Sequence, residues 1–211
     1  MHARICKTPK LLCLAGSSST EKATPGLERL KAMEGVLPYA DIQPQIIARR
    51  AGVRAEVKEA LAAVPELVPG ATRGELAGFV WWHGWNDGVD PDRAVPAYEE
   101  NLACLVRDVR RDLDSTGLPV VIGELTGPWV DAPGAWDTLR RAQAAVPSRE
   151  EFREHARFVS TRSFVRSPED SPNPGHGHHE FGNAETIFLV GDALGKGMLK
   201  LLDANAEPAK P

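Results

Sequence analysis

Cysteine is scarce in this chain: its 211 residues hold three, Cys6, Cys13 and Cys104. An odd number without C-x-x-C spacing frames neither a disulfide scaffold nor a zinc ribbon, so buried reduced thiols are the expected reading. Long apolar runs are missing as well. No stretch approaches the roughly 18 residues of a membrane-spanning helix. The nearest thing to a signal peptide, Leu11-Leu12-Cys13-Leu14-Ala15 after Lys7 and Lys10, is shorter than the roughly 7–15 apolar residues of a secretory core, and as written the chain reads as non-secreted. There is also no run of five or more cations and no internal repeat. Nucleic-acid binding needs a dense basic face, which this chain does not offer.

With 42% apolar and 26% charged residues, the composition is that of a soluble globular protein rather than a disordered tail or a fibre. The net charge of -4 hides a division. Residues 1–58 carry ten Lys and Arg against five Asp and Glu, whereas residues 59–211 carry 15 against 24. Such a split marks either two modules or a short basic segment ahead of an acidic domain.

Short apolar runs alternate with helical patterns. Leu11–Ala15, Gly78–Trp82 and Pro119–Leu125 read as strands buried on both faces, with Phe158–Thr161 a weaker fourth. From Asp92 to Asp114, Val95, Tyr98, Leu102, Leu105, Val109 and Leu113 recur every three or four residues, which predicts one long helix begun at Asp92. A last helix is predicted from Ala184 to Leu202, with Ile187, Val190, Leu194, Met198 and Leu201 on its buried face and Asn183 as N-cap. Shorter helices are expected over 53–63, 135–145 and 150–156. Strands alternating with helices imply an α/β fold, a parallel sheet with helices on both faces, over residues 53–203. Residues 1–52 form an atypical basic segment with a possible first strand at 11–15; within 17–52 the one candidate strand, Ile46-Ile47, is weakened by Pro44 beside it, and residues 204–211 read as a disordered tail.

In an open parallel sheet, ligands bind at the carboxyl ends of the strands. Chemistry is therefore sought in the loop that succeeds each apolar run. After Trp82 comes His83-Gly84-Trp85-Asn86-Asp87-Gly88. Glycine allows close backbone approach, and an asparagine two residues on offers an amide donor for the oxyanion of a tetrahedral intermediate. The alternative is an Asn-Asp-Gly turn that needs no ligand. Trp81, Trp82 and Trp85 lie alongside, some as core and some with faces suited to sugar rings. Glu124 ends the third run, either hydrogen-bonded to loop backbone or orienting a histidine or binding a sugar hydroxyl. Gly175-His176-Gly177-His178-His179-Glu180 precedes the last helix and is open to three readings: part of a metal site, a catalytic base, or a solvated loop.

These blocks resemble the sialate O-acetylesterase-like carbohydrate esterases of the SGNH hydrolase superfamily. Leu76–Asp87 is similar to the block after the family's third strand, 118–125 to its next strand, and Ser171–Thr186 to the loop and helix start that carry the catalytic histidine. The resemblance implies a three-layer α/β/α, flavodoxin-like fold, incomplete at the N-terminus, in which 53–203 match the C-terminal portion of an esterase. It implies that Gly84 and Asn86 belong to the oxyanion hole and that His179 is the general base, with His178 as fallback. His83 stands where many relatives have glutamine, and with Trp85 it would face the substrate. His176 occupies the place where the superfamily often has its acid, leaving Asp87 and Glu124 as candidates by location. The family begins with a strand leading into G-x-S, and Gly16-Ser17-Ser18 has that form, with Ser18 as nucleophile. Two departures stand out: Ser19 replaces the usual asparagine, and the stretch from Ser18 to His83 is too short for the family's second block.

The resemblance implies a serine esterase acting on an acetylated carbohydrate, with no cofactor, no metal, no nucleic-acid partner and no membrane association. Relatives are often exported. The alternative is a non-catalytic or truncated carbohydrate-binding relative that lacks a working nucleophile.

Overall fold

Apolar stretches become sheet interior only when both faces are covered, and three of them here are. The computed structural model describes residues 10–12, 54–127 and 134–206. Strands β2 (Glu75–Trp81), β3 (Val120–Gly123) and β4 (Ala156–Val159) run parallel. Phe79, Val80 and Trp81 stand beside Val120, Val121 and Ile122, while Val120 through Gly123 stand beside Ala156 through Val159. Strand β1, Lys10–Leu12, overlaps the expected 11–15, of which residues 13–15 lie outside the described residues.

The chain divides into two compact units, one of Met1–Leu11 and Ser17–Glu75, the other of Leu12–Gly16 and Leu76–Pro211. In the first, helix α1 runs over residues 54–67. It buries Val57 and Val64, two turns apart on one face. A β-carbon on Gly74 would stand 2.5 Å from Leu61 O, so the chain returns alongside Leu61 and Val64 of this helix at contact distance.

In the second unit, helices α2 (Ala94–Asp112), α3 (Ala135–Ala145) and α4 (Ala184–Ala206) cover the sheet. Side chains alternate along a strand, and the two faces here hold different cores. Phe79, Val120 and Ile122 pack with Tyr98, Leu102, Ala103 and Val106 of α2 and Leu139 and Ala142 of α3. Val80 and Val121 pack with Val190, Leu194, Met198 and Leu201 of α4. Helices connecting neighbouring parallel strands fall on one face when each crossover has the same hand, and the last helix closes the other. This is the three-layer α/β arrangement. Its glycines set the spacing: a β-carbon on Gly78 would lie 2.4 Å from Met198 Cε.

Several expectations need correction. Residues 150–156 form turns and the start of β4 rather than a helix. The seven residues 150–156 begin with charged side chains, and Phe152 N–H and His155 N–H close short turns onto Arg149 O and Phe152 O instead of propagating. Asp92 does not begin α2, which starts at Ala94 after a turn closed on Asp90: the Asp90 carboxylate accepts from Arg93 N–H at 3.3 Å and its carbonyl from Ala94 and Val95 N–H. Ile187 is 46% exposed, so the apolar part of the buried face of α4 starts at Val190, preceded by the buried Thr186. Asn183 does cap that helix, its Oδ1 accepting from Thr186 N–H at 3.1 Å.

Candidate active site

The loops at the carboxyl ends of the strands converge at one end of the sheet. After β2 the chain makes a single helical turn, Trp85–Gly88, entered through Gly84 at φ +148°. Only glycine adopts that backbone freely. A β-carbon there would also stand 3.0 Å from Leu139 Cδ2 and 3.1 Å from Tyr98 Oη.

A buried polar network fixes this entry. Tyr98 Oη donates to His83 O at 2.7 Å and accepts from Trp81 Nε1 at 3.1 Å. Gln143 Nε2 donates to His83 O at 3.1 Å, and its Oε1 accepts from Leu125 N–H at 2.8 Å. Burial pushes the Tyr98 hydroxyl up to about 12, so it stays a neutral donor across the working pH range. One glutamine of α3 thus holds the loop after β2 and the loop after β3 in fixed relation. Arg140, buried on the same helix, donates to Leu125 O at 2.8 Å, Thr126 O at 3.3 Å and Gly127 O at 2.7 Å. Burial lowers its pKa.

Aromatic rings line the space beside these loops. Trp85 and Trp136 meet with centroids 4.9 Å apart at 52°, a tilted pairing that aromatic rings favour. Trp85 lies over Gly127 and Trp136 over Gly88, where β-carbons would be 2.2 Å and 2.3 Å from the rings. The histidine loop arrives against them. His178 is 5.7 Å from Trp85, 5.5 Å from His176 and 4.2 Å from His179, centroid to centroid. Partial desolvation, with the neighbouring His179 and His176, lowers the His178 pKa. His176 Nδ1 lies 2.8 Å from Asn173 Oδ1. Among the described residues no group of three or more His, Cys, Asp or Glu is arranged to hold a metal ion.

Of the residues singled out in the sequence, His83, Gly84, Trp85, Asn86 and Asp87 share one short segment, and Trp85 meets the loop carrying His178 and His179. Asn86 and His179 are exposed to solvent. Asp87 is half-buried; burial raises its carboxyl, and nearby His83 pulls it back down. Glu124, 7% exposed, is engaged in the sheet layer: its carboxylate accepts from Ser160 Oγ at 2.5 Å and Thr161 N–H at 3.2 Å and faces Arg162 at 3.8 Å. Its carbonyl accepts from Trp82 Nε1 at 3.0 Å and Thr161 Oγ1 at 2.5 Å. Glu124 therefore ties the ends of β2, β3 and β4 together. Ser18 lies outside the described residues.

Sequence reasoning passes over Tyr98 as a polar group, and over Trp136, Arg140, Gln143, Thr126 and Glu180. A signal exists for two of them: Arg140 and Gln143 lie on the same helical stripe as Leu139 and Ala142, where a polar side chain must find a partner.

The family of carbohydrate esterases described as sialic acid-specific acetylesterases matches residues 54–171, more than half of the chain. No curated protein matches it, and no solved structure does. No helix among the described residues is long and apolar enough to cross a membrane.

Proposed function

The chain belongs to the sialic acid-specific acetylesterase family of carbohydrate esterases, and from that premise we propose that it is a serine esterase removing O-acetyl groups from sugars. The observation that carries this reading is the meeting of the Gly84–Asp87 turn with the histidine loop, through Trp85 and His178 at 5.7 Å. Residues some ninety positions apart in sequence are brought together at the strand ends, where such folds bind ligands.

In this reading Ser18 Oγ attacks the acetyl carbonyl carbon and its proton passes to His179. Negative charge builds on the carbonyl oxygen, where the Asn86 amide and the backbone near Gly84 donate to it. The bond to the sugar oxygen then breaks, and His179 returns the proton to that oxygen as the sugar leaves. Water, activated by the same histidine, hydrolyses the acetyl-serine and releases acetate. His83 and Trp85 face the sugar, and the Trp85 ring offers it an apolar face. Asp87 and Glu124 support the site, the first through its charge beside His83 and the second by fixing the strand ends.

Purified protein is expected to release p-nitrophenol from p-nitrophenyl acetate and acetate from an O-acetylated sugar. His179→Ala should lower kcat/KM at least about 100-fold, the usual worth of a positioned base. Asn86→Ala should lower kcat roughly 100-fold, as loss of one oxyanion donor does. Wild-type rates in the His179 variant would reject the assignment.

One observation favours a second reading. The family match includes Gly84, Asn86 and Glu124 but neither Ser18 nor His179. A carbohydrate-binding relative without turnover would bind an acetylated sugar and leave its ester intact.

A further inference from the structure

We propose that Glu180 is a positioning residue for the base, holding His179 in place through its hydrogen bond to Thr126; this rests on the reading of His179 given above. Glu180 directly succeeds His179, yet it is 6% exposed, and its carboxyl accepts the hydroxyl of Thr126, which is fully buried. A carboxyl in that setting costs free energy unless it is partnered, and burial raises its pKa accordingly.

The backbone here is strained as well. Glu180 and Phe181 have φ of +53° and +55°, and Gly182 comes next at +68°. A left-handed non-glycine residue is disfavoured because its β-carbon crowds the carbonyl oxygen that comes next. Such conformations persist only where surrounding contacts over-determine them. Three contacts do so here. Phe181 is buried at 4% exposure, its N–H donates to His176 O at 3.0 Å, and its carbonyl accepts from Asn173 N–H at 2.8 Å. Those bonds shape the histidine loop internally. Glu180 adds a tie to a different element, the loop after β3.

That loop is itself immobilised by Arg140 on three successive carbonyls and by Gln143 on Leu125 N–H. Gln143 also holds His83 O at the entry to the Gly84 turn. Glu180 therefore registers His179 against the same framework that registers Gly84 and Asn86. Without the tie, the left-handed pair has reason to relax, and the imidazole shifts from its place. A displacement of about 1 Å at a reacting group costs roughly 100-fold in rate.

The test compares Glu180→Ala, Glu180→Gln and Thr126→Val in the full chain, by kinetics on an acetyl ester and by imidazole C–H NMR signals of the resting protein. Glu180→Ala is expected to lower kcat between about tenfold and 100-fold, with KM within about threefold. It should also move the His176, His178 and His179 signals toward those of free histidine. Glu180→Gln retains an acceptor for the Thr126 hydroxyl and should restore both kcat and the native spectrum. Thr126→Val removes the donor at nearly constant volume and should reproduce the alanine phenotype, which keeps the proposal testable even if Glu180→Ala does not fold. Native kcat and native histidine signals in Thr126→Val, or a glutamine variant as impaired as the alanine one, would overturn the proposal. If the wild type hydrolyses no ester, the reading of His179 as a base fails on its own, while the histidine spectra still report whether Glu180 and Thr126 hold the loop.

Discussion

At the scale of single residues, Glu180 makes the clearest demand on pH. Its folded pKa is raised above the ordinary 4.5 by burial, with the Thr126 hydrogen bond opposing. The native state therefore holds a proton that the unfolded chain gives up. This contribution is fully present below the ordinary carboxylate range and is lost as pH rises through the raised value. Urea melts should accordingly show Glu180→Gln more stable than wild type at pH 8, with the gap closing at pH 4. A gap that is constant with pH would contradict the assignment. Gly84 is legible in the sequence because its turn is a local pattern, and Asn86 and His179 are proposed on equally local ones: a stiff amide two residues after a glycine, and an imidazole in a polar loop before a helix. Glu180 is not, because its importance lies in a hydrogen bond to Thr126, fifty-four positions away.

At the scale of elements, α3 is the support of the site rather than a mere crossover. Its Arg140 side chain is 3% exposed and serves the carbonyls of Leu125, Thr126 and Gly127. Arg140→Ala leaves those acceptors buried without a donor, at a cost of about 3 kcal/mol. For a chain of this size that corresponds to a Tm roughly 10 °C lower. An unchanged Tm would show that the loop finds other donors. The strands and long helices are readable because burial on both sheet faces writes continuous apolar runs, and burial on one helix face writes a stripe. Phe79 and Val80, neighbours in sequence, face opposite cores for that reason. The turns over 150–156 read wrongly as a helix because their apolar content is too low to tell a short helix from linked turns. The helical turn at Trp85–Gly88 escapes notice because four residues carry no period.

At the scale of the whole molecule, the family match begins at residue 54, close to where the charge balance changes sign from basic to acidic. Within the matched region lie strands β2, β3 and β4, the Gly84 turn and the polar framework around His83. The histidine loop comes after it, brought to the site by the return of the chain into α4. The proposed nucleophile, Ser18 of Gly16-Ser17-Ser18, rests on the sequence alone. Reaction with a fluorophosphonate probe, coupled to peptide mapping, tests this most directly, because the probe traps a serine only when a base activates it. The predicted result is stoichiometric label on Ser18 in the wild-type chain and its loss in His179→Ala. An unlabelled wild-type protein, or label on another serine, would contradict the serine-esterase reading.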